Sequence, residues 1–139
     1  MYDNTNISIE KHRIKFDKYL NNYLYLYLSK NELSNAMIYG ASSGGKRIRP
    51  YLISIFSEIV NLPKKNYYHL SASVECIHSY SLIHDDLPCM DDDDYRRGKL
   101  SVHKKFNEAQ AILAGDSLHG IAFEILSDNK IHKDAKIRI

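Results

Sequence analysis

Six aspartates fall within ten residues of this chain, at Asp85, Asp86 and Asp91 to Asp94, and Arg96, Arg97 and Lys99 follow at once. Runs of acid are ordinarily solvated surface. Here, however, Asp85 and Asp86 end a stretch carrying Val74, Ile77, Leu82 and Ile83, which reads as a largely buried apolar helix. Two carboxylates about 6 Å apart repel by roughly 3 kcal/mol at an effective dielectric of about 20. Such a pair at the end of a core helix calls for a cation.

The spacing suits shared metal ligation. On an unbroken helix Asp85 and Asp91 would point about 120° apart, at about 100° per residue. Pro88 removes an amide donor and clashes with the preceding turn, so the helix kinks or stops there and the loop can swing Asp91 back toward Asp85. Ligands made only of hard oxygen favour magnesium or calcium over zinc. A calcium EF-hand does not fit: counted from Asp93, loop position twelve is Lys104 where a glutamate belongs, and counted from Asp91, Arg96 takes the place of the glycine. Arg96 and Arg97 have no purpose in a merely solvated run. Beside metal-binding carboxylates they form a clamp for a phosphorylated anion.

The rest of the chain reads as helical. Ile14, Leu20, Leu24 and Leu28 recur at helical spacing and predict a first helix over about residues 7–28. Asn31 can cap a second that ends near Gly40. Tyr51, Leu52, Ile55 and Val60 mark a third that ends before Pro63. A fourth runs over about 67–87, and a fifth carries Ala109, Ile112, Leu113, Leu118, Phe123 and Leu126. Strand-like alternation is almost absent, so the expected class is all-α, with the unusual chemistry in two loops, 44–50 and 88–105. A length of 139 residues suffices for one domain. The stretch from Ser127 to Ile139 is polar, and nothing in it caps or closes a domain, so a larger helical fold is expected.

Composition excludes several classes. A net charge of +2 argues neither for a nucleic-acid binder nor for an acidic tail, and no nucleic-acid partner is expected. Cys76 and Cys89, thirteen residues apart with no CxxC pair, form no disulfide framework or zinc site, so a reducing cytosol is the default. The start lacks a basic region followed by an apolar run, and no stretch approaches the roughly eighteen apolar residues of a membrane span. A soluble, cytoplasmic protein is expected.

The other loop, Gly44-Gly45-Lys46-Arg47-Ile48-Arg49-Pro50, offers flexible backbone, a helix N-terminus and three cations, which together make an anion site. It lacks the P-loop spacing, and no strand precedes it. Alone it is weak evidence, since basic helix starts are common. His78 lies seven residues before Asp85 and hence about 10 Å away on nearly the same helix face. A lone helical histidine is more often structural, but this one is placed to donate to a phosphate. A ligand with its charged head on Asp85 would run its tail past Ser81 and Tyr80, although Tyr80 also suits ordinary core packing.

Three segments carry a resemblance: GGKRIRP (44–50), VECIHSYSLIHDDLPCMDDDDYRRGKLSVHKKF (74–106) and AILAGDSL (111–118). In the combination of GGKRxRP with DDxxxxD and RRG, the chain resembles the trans-prenyltransferases of the bacterial farnesyl diphosphate synthase type, over about residues 36–126. The resemblance implies an all-α bundle around a central cavity, usually a homodimer. It implies that Lys46, Arg49, His78 and Arg97 bind the diphosphate of isopentenyl diphosphate, that Asp85 and Asp91 ligate Mg²⁺, and that Arg96 holds the allylic diphosphate. Tyr80, five positions before the first aspartate, with Ser81 beside it and the insertion that includes Pro88, implies a product of fifteen carbons. Family members are about twice this long and carry a second aspartate-rich motif and a Lys-Thr pair, neither of which is present. The chain is therefore expected to be the N-terminal part of one polyprenyl synthetase domain. The alternatives left open are a truncated, inactive synthase and a non-catalytic diphosphate-binding partner subunit.

Overall fold

Phe16, Leu20 and Leu24 are spaced four residues apart and so share one face of a helix, where all three are fully buried. They anchor α1 (Tyr2–Tyr27). Ile14, expected on that face, is 58% exposed, and Phe16 fills the core in its place. The computed structural model describes residues 2–127, with side chains from residue 7 onward. The polar stretch after Ser127, expected to leave the domain unclosed, lies outside the described residues.

α2 (Glu32–Ala41) begins where the sequence placed it. Asn31 has extended backbone, and its Oδ1 accepts the Ser34 amide at 2.8 Å. α3 (Ile48–Ile59) starts three residues before the first expected apolar marker and includes Pro50 in its first turn, where a missing N–H costs nothing. α4 (Lys64–Asp85) stops three residues before Pro88. A short helix, α5 (Val102–Lys105), precedes α6 (Glu108–Ser127).

The mostly helical expectation needs one local correction. β1 (Tyr95–Arg96) and β2 (Lys99–Leu100) form a two-stranded antiparallel hairpin, with Arg96 opposite Lys99. Arg97 and Gly98 make its two-residue loop, both at positive φ (54° and 77°), the pattern of a type I′ turn.

α4 packs chiefly on α6 and then on α3, and forms the spine of the fold. Of the apolar residues expected on its buried side, Ile83 is buried and Ile77 packs against the core, but Val74 is 37% exposed, and most of the buried positions are small or polar: Ser71, Ala72, Ser73, Glu75, Cys76 and Ser79. Small residues let the helices approach closely. A Cβ on Gly115 of α6 would run into the His84 ring of α4. No helix among the described residues is long and apolar enough to cross a membrane.

Candidate functional site

The basic loop is shaped by backbone before it is shaped by charge. Gly44 and Gly45 sit at φ 86° and 115°, conformations that L side chains rarely adopt. A Cβ on Gly45 would also lie 2.6 Å from Arg97 Cζ, so only glycine lets the hairpin guanidinium close over this loop. Arg97 in turn donates from Nη1 to the Gly44 carbonyl. The type I′ turn places Arg97 there, and the glycine pair receives it.

This contact closes a cleft of about 460 Å³ that Lys46, Arg49, His78 and Arg97 all line. All four residues expected to hold a diphosphate thus meet at one place, from the basic loop, α4 and the hairpin. Burial, then the Arg49 charge, holds the His78 imidazole below its ordinary value, while Glu75 pulls the other way. Burial, then the charge of Arg47, lowers Arg97 as well. An excess of positive charge facing a concave surface is the electrostatics of an anion site.

Arg47, counted among three loop cations, is not available to a ligand. It is 5% exposed at φ 50°, with Nη1 on Glu75 of α4 at 2.7 Å, Nε on Asp17 of α1 at 2.8 Å and Nη2 on the Ala41 carbonyl at 2.8 Å. Sequence reasoning missed this pairing. The available signal was Glu75, an acid in a run of small residues, three positions before His78 and hence on its face.

At the other end of α4 the adjacent aspartates part company. Asp86 is 2% exposed and binds Arg96, whose Nε lies 2.6 Å from its Oδ1 and whose Nη2 contacts the same oxygen. The buried carboxylate thus has a guanidinium as its counter-ion, and Arg96, expected on the allylic diphosphate, has this bond as well. Asp85 stays half-exposed and Asp91 exposed. The Asp91 amide donates to the Asp85 carbonyl at 2.9 Å, so the chain does fold back on itself after Pro88. Among the described residues neither the Asp85 nor the Asp91 carboxylate carries a hydrogen bond or salt bridge. The backbone thus brings Asp91 back to the end of α4, and both side chains offer only oxygen, the ligand type a hard divalent cation takes. A separate group, Asp92, Asp94 and His103, has ligand atoms within 4.8 Å of one another, but Lys104 bridges Asp94 at 2.9 Å and neutralises part of its charge.

Tyr80 and Ser81 lie one turn before Asp85. Tyr80 is half-buried, edge-on to His84 at 4.8 Å and to His119 of α6 at 5.0 Å. Ser81 Oγ is turned back onto the His78 carbonyl at 2.9 Å.

Comparison with known proteins identifies the family and the fold. The family profile described as Polyprenyl synthetase matches residues 30–138. The chain is 56% identical over 92 residues to farnesyl diphosphate synthase of Escherichia coli K12, covering 66% of this chain and 31% of that protein. It is 45% identical over 119 residues to farnesyl diphosphate synthase of Buchnera aphidicola (subsp. Acyrthosiphon pisum), covering 86% and 42%. The solved structure of an FPP/GFPP synthase from Zymomonas mobilis superposes with a TM-score of 0.85 at 42% identity, over 93% of this chain and 48% of that one. The chain therefore spans less than half the length of the relatives it matches.

Proposed function

This chain belongs to the polyprenyl synthetase family, and from that premise we propose that it is the N-terminal part of one polyprenyl synthetase domain of farnesyl diphosphate synthase type. The proposed reaction joins isopentenyl diphosphate to dimethylallyl or geranyl diphosphate, with loss of diphosphate from the allylic partner and of a proton from the isopentenyl unit, and stops at the all-trans fifteen-carbon product. The observation that carries this reading is the convergence of Lys46, Arg49, His78 and Arg97 on one cleft, with Asp85 at the end of the helix that carries His78 and Asp91 folded back onto it by the following loop. Exposed apolar side chains on α6 (Ile112, Leu113 and Phe123) give the remainder of such a domain a surface to cover.

The residues divide the work between two anions. The cleft cations hold the diphosphate of isopentenyl diphosphate and fix where its double bond lies. Asp85 and Asp91 would hold Mg²⁺, which when bound supplies charge neutralisation to the departing allylic diphosphate. Arg96 keeps Nε and Nη2 on Asp86 and offers Nη1 to that diphosphate, a guanidinium preorganised by its buried partner. Tyr80, held edge-on by two histidines, forms the wall that stops the growing chain. No side-chain nucleophile is required. The protein is proposed to be cytoplasmic and homodimeric, without nucleic-acid or stable membrane partners.

The test is condensation by the protein as its gene encodes it, with geranyl diphosphate, isopentenyl diphosphate and Mg²⁺, the product being sized by chromatography. A fifteen-carbon product that disappears with a chelator is expected. Condensation that ignores the chelator would refute the metal assignment. Capture of isopentenyl diphosphate without any condensation would point to a non-catalytic diphosphate-binding subunit instead.

A further inference from the structure

Between the two cations read as ligand-binding, Lys46 and Arg49, stands one that faces inward. Arg47 is 5% exposed, and its three guanidinium nitrogens each have a different protein acceptor: Glu75 at 2.7 Å, Asp17 at 2.8 Å and the Ala41 carbonyl at 2.8 Å. These acceptors lie on α4, on α1 and at the end of α2, so one side chain ties the loop to three helices. The loop needs such a tether. Gly44 and Gly45 supply no side chains to pack, Arg47 itself is left-handed, and α3 starts without a side-chain cap.

We propose that Arg47, with Glu75 and Asp17, is a positioning device for the diphosphate cleft: the buried ion pair sets where Lys46 and Arg49 stand relative to His78. The proposal rests on the reading of that cleft given above. Glu75 is on the same face of α4 as His78, three residues away, and both line the cleft. The Arg47–Glu75 bond therefore fixes the distance between the loop carrying two of the cations and the helix carrying the third group. Lys46 and Arg49 are exposed, and among the described residues no hydrogen bond or ion pair holds their side chains. Their placement depends on backbone, and the backbone on Arg47.

The proposal makes a prediction whose sign opposes simple electrostatics. Glu75 is an anion in the wall of an anion site, so Coulomb's law alone says that Glu75→Gln should tighten diphosphate binding. If Glu75 acts through Arg47, the same change loosens the loop and weakens binding. A double variant, Arg47→Met with Glu75→Gln, removes one charge of each sign. Net charge in the cleft is then unchanged, and any loss reports position. Removing both members of a buried pair is also tolerated far better than removing one, so this variant keeps the test open if the single change unfolds the protein.

The experiment measures KM for isopentenyl diphosphate and for geranyl diphosphate separately, in the protein as its gene encodes it, with the melting temperature of each variant. Glu75→Gln and the double variant are expected to raise KM for isopentenyl diphosphate about tenfold or more, with KM for geranyl diphosphate within about twofold. Asp17→Asn, outside the cleft, should shift the same constant in the same direction. Tighter or unchanged isopentenyl diphosphate binding in Glu75→Gln and in the double variant would overturn the proposal, as would an equal loss for both substrates. Lys46→Gln and Arg49→Gln tell a failure of this idea from a failure of the cleft reading: if they leave KM unchanged, the cleft itself is wrongly assigned. If they raise it while the Arg47–Glu75 variants do not, only the positioning role falls.

Discussion

Asp85 and Asp86 are neighbours in the sequence with opposite surroundings, and replacing each by asparagine separates the two roles. Asp86 is 2% exposed, and its carboxylate is bound by Arg96 Nε at 2.6 Å. Breaking a buried pair by removing one partner costs about 3–5 kcal/mol when both are fully buried. The Arg96 side chain is 26% exposed and retains water, and asparagine keeps one acceptor, so about 2–3 kcal/mol is expected for Asp86→Asn. Asp85 has no protein partner to lose. Asp85→Asn gives up only a through-space attraction to Arg96 and should change stability by less than about 0.5 kcal/mol. In the proposed function, turnover behaves in reverse: Asp85→Asn loses orders of magnitude through the metal site. Asp86→Asn loses activity only as far as Arg96 drifts. Urea denaturation followed by far-ultraviolet circular dichroism, with condensation assays on the same preparations, reads both. Equal destabilisation by the two variants, or a stable Asp86→Asn, would refute the assignment of Asp86 to structure and Asp85 to metal.

Tyr80→Ala removes the proposed wall and is expected to shift the product beyond fifteen carbons with activity retained; an unchanged product length would remove Tyr80 from that role. His78 is held below its ordinary value of 6.5, chiefly by burial and then by Arg49. A base depressed in the folded state contributes stability that is present above the unfolded value and lost as pH falls. Stability should thus decline below about pH 6.5, less so in His78→Gln and less again with isopentenyl diphosphate neutralising Arg49 and Arg97; thermal unfolding across pH 5 to 8 checks this. Gly45→Ala forces a side chain onto a positive φ and into Arg97, and should cost about 1–3 kcal/mol while raising KM for isopentenyl diphosphate, measured by denaturation and steady-state kinetics.

Much of the site could be read from residue spacing. A spacing of seven positions places His78 and Asp85 on one helix face, and Pro88 announces the end of that helix. Asn31 is legible as a cap because its side chain acts locally. The features missed are those decided by tertiary partners. Arg47 is the same residue type as Arg49 two positions later, and only a left-handed backbone turns it inward to Glu75. The hairpin escaped because two-residue strands carry no alternation, although an Arg-Gly pair at two positive φ values is its turn chemistry. Val74 was misplaced because the close approach of α4 and α6 selects small residues, as where Ser73 reaches the Ala122 carbonyl and Gly115 meets the His84 ring.

The central claim is that one cleft captures a diphosphate through protein cations alone, while a neighbouring aspartate pair serves the metal. Calorimetric titration of isopentenyl diphosphate into the protein as its gene encodes it, with chelator present, tests this most directly. One molecule should bind per chain, with affinity lost in Arg49→Gln and unaltered in Asp85→Asn. Binding that requires magnesium, or that survives Arg49→Gln unchanged, would contradict it.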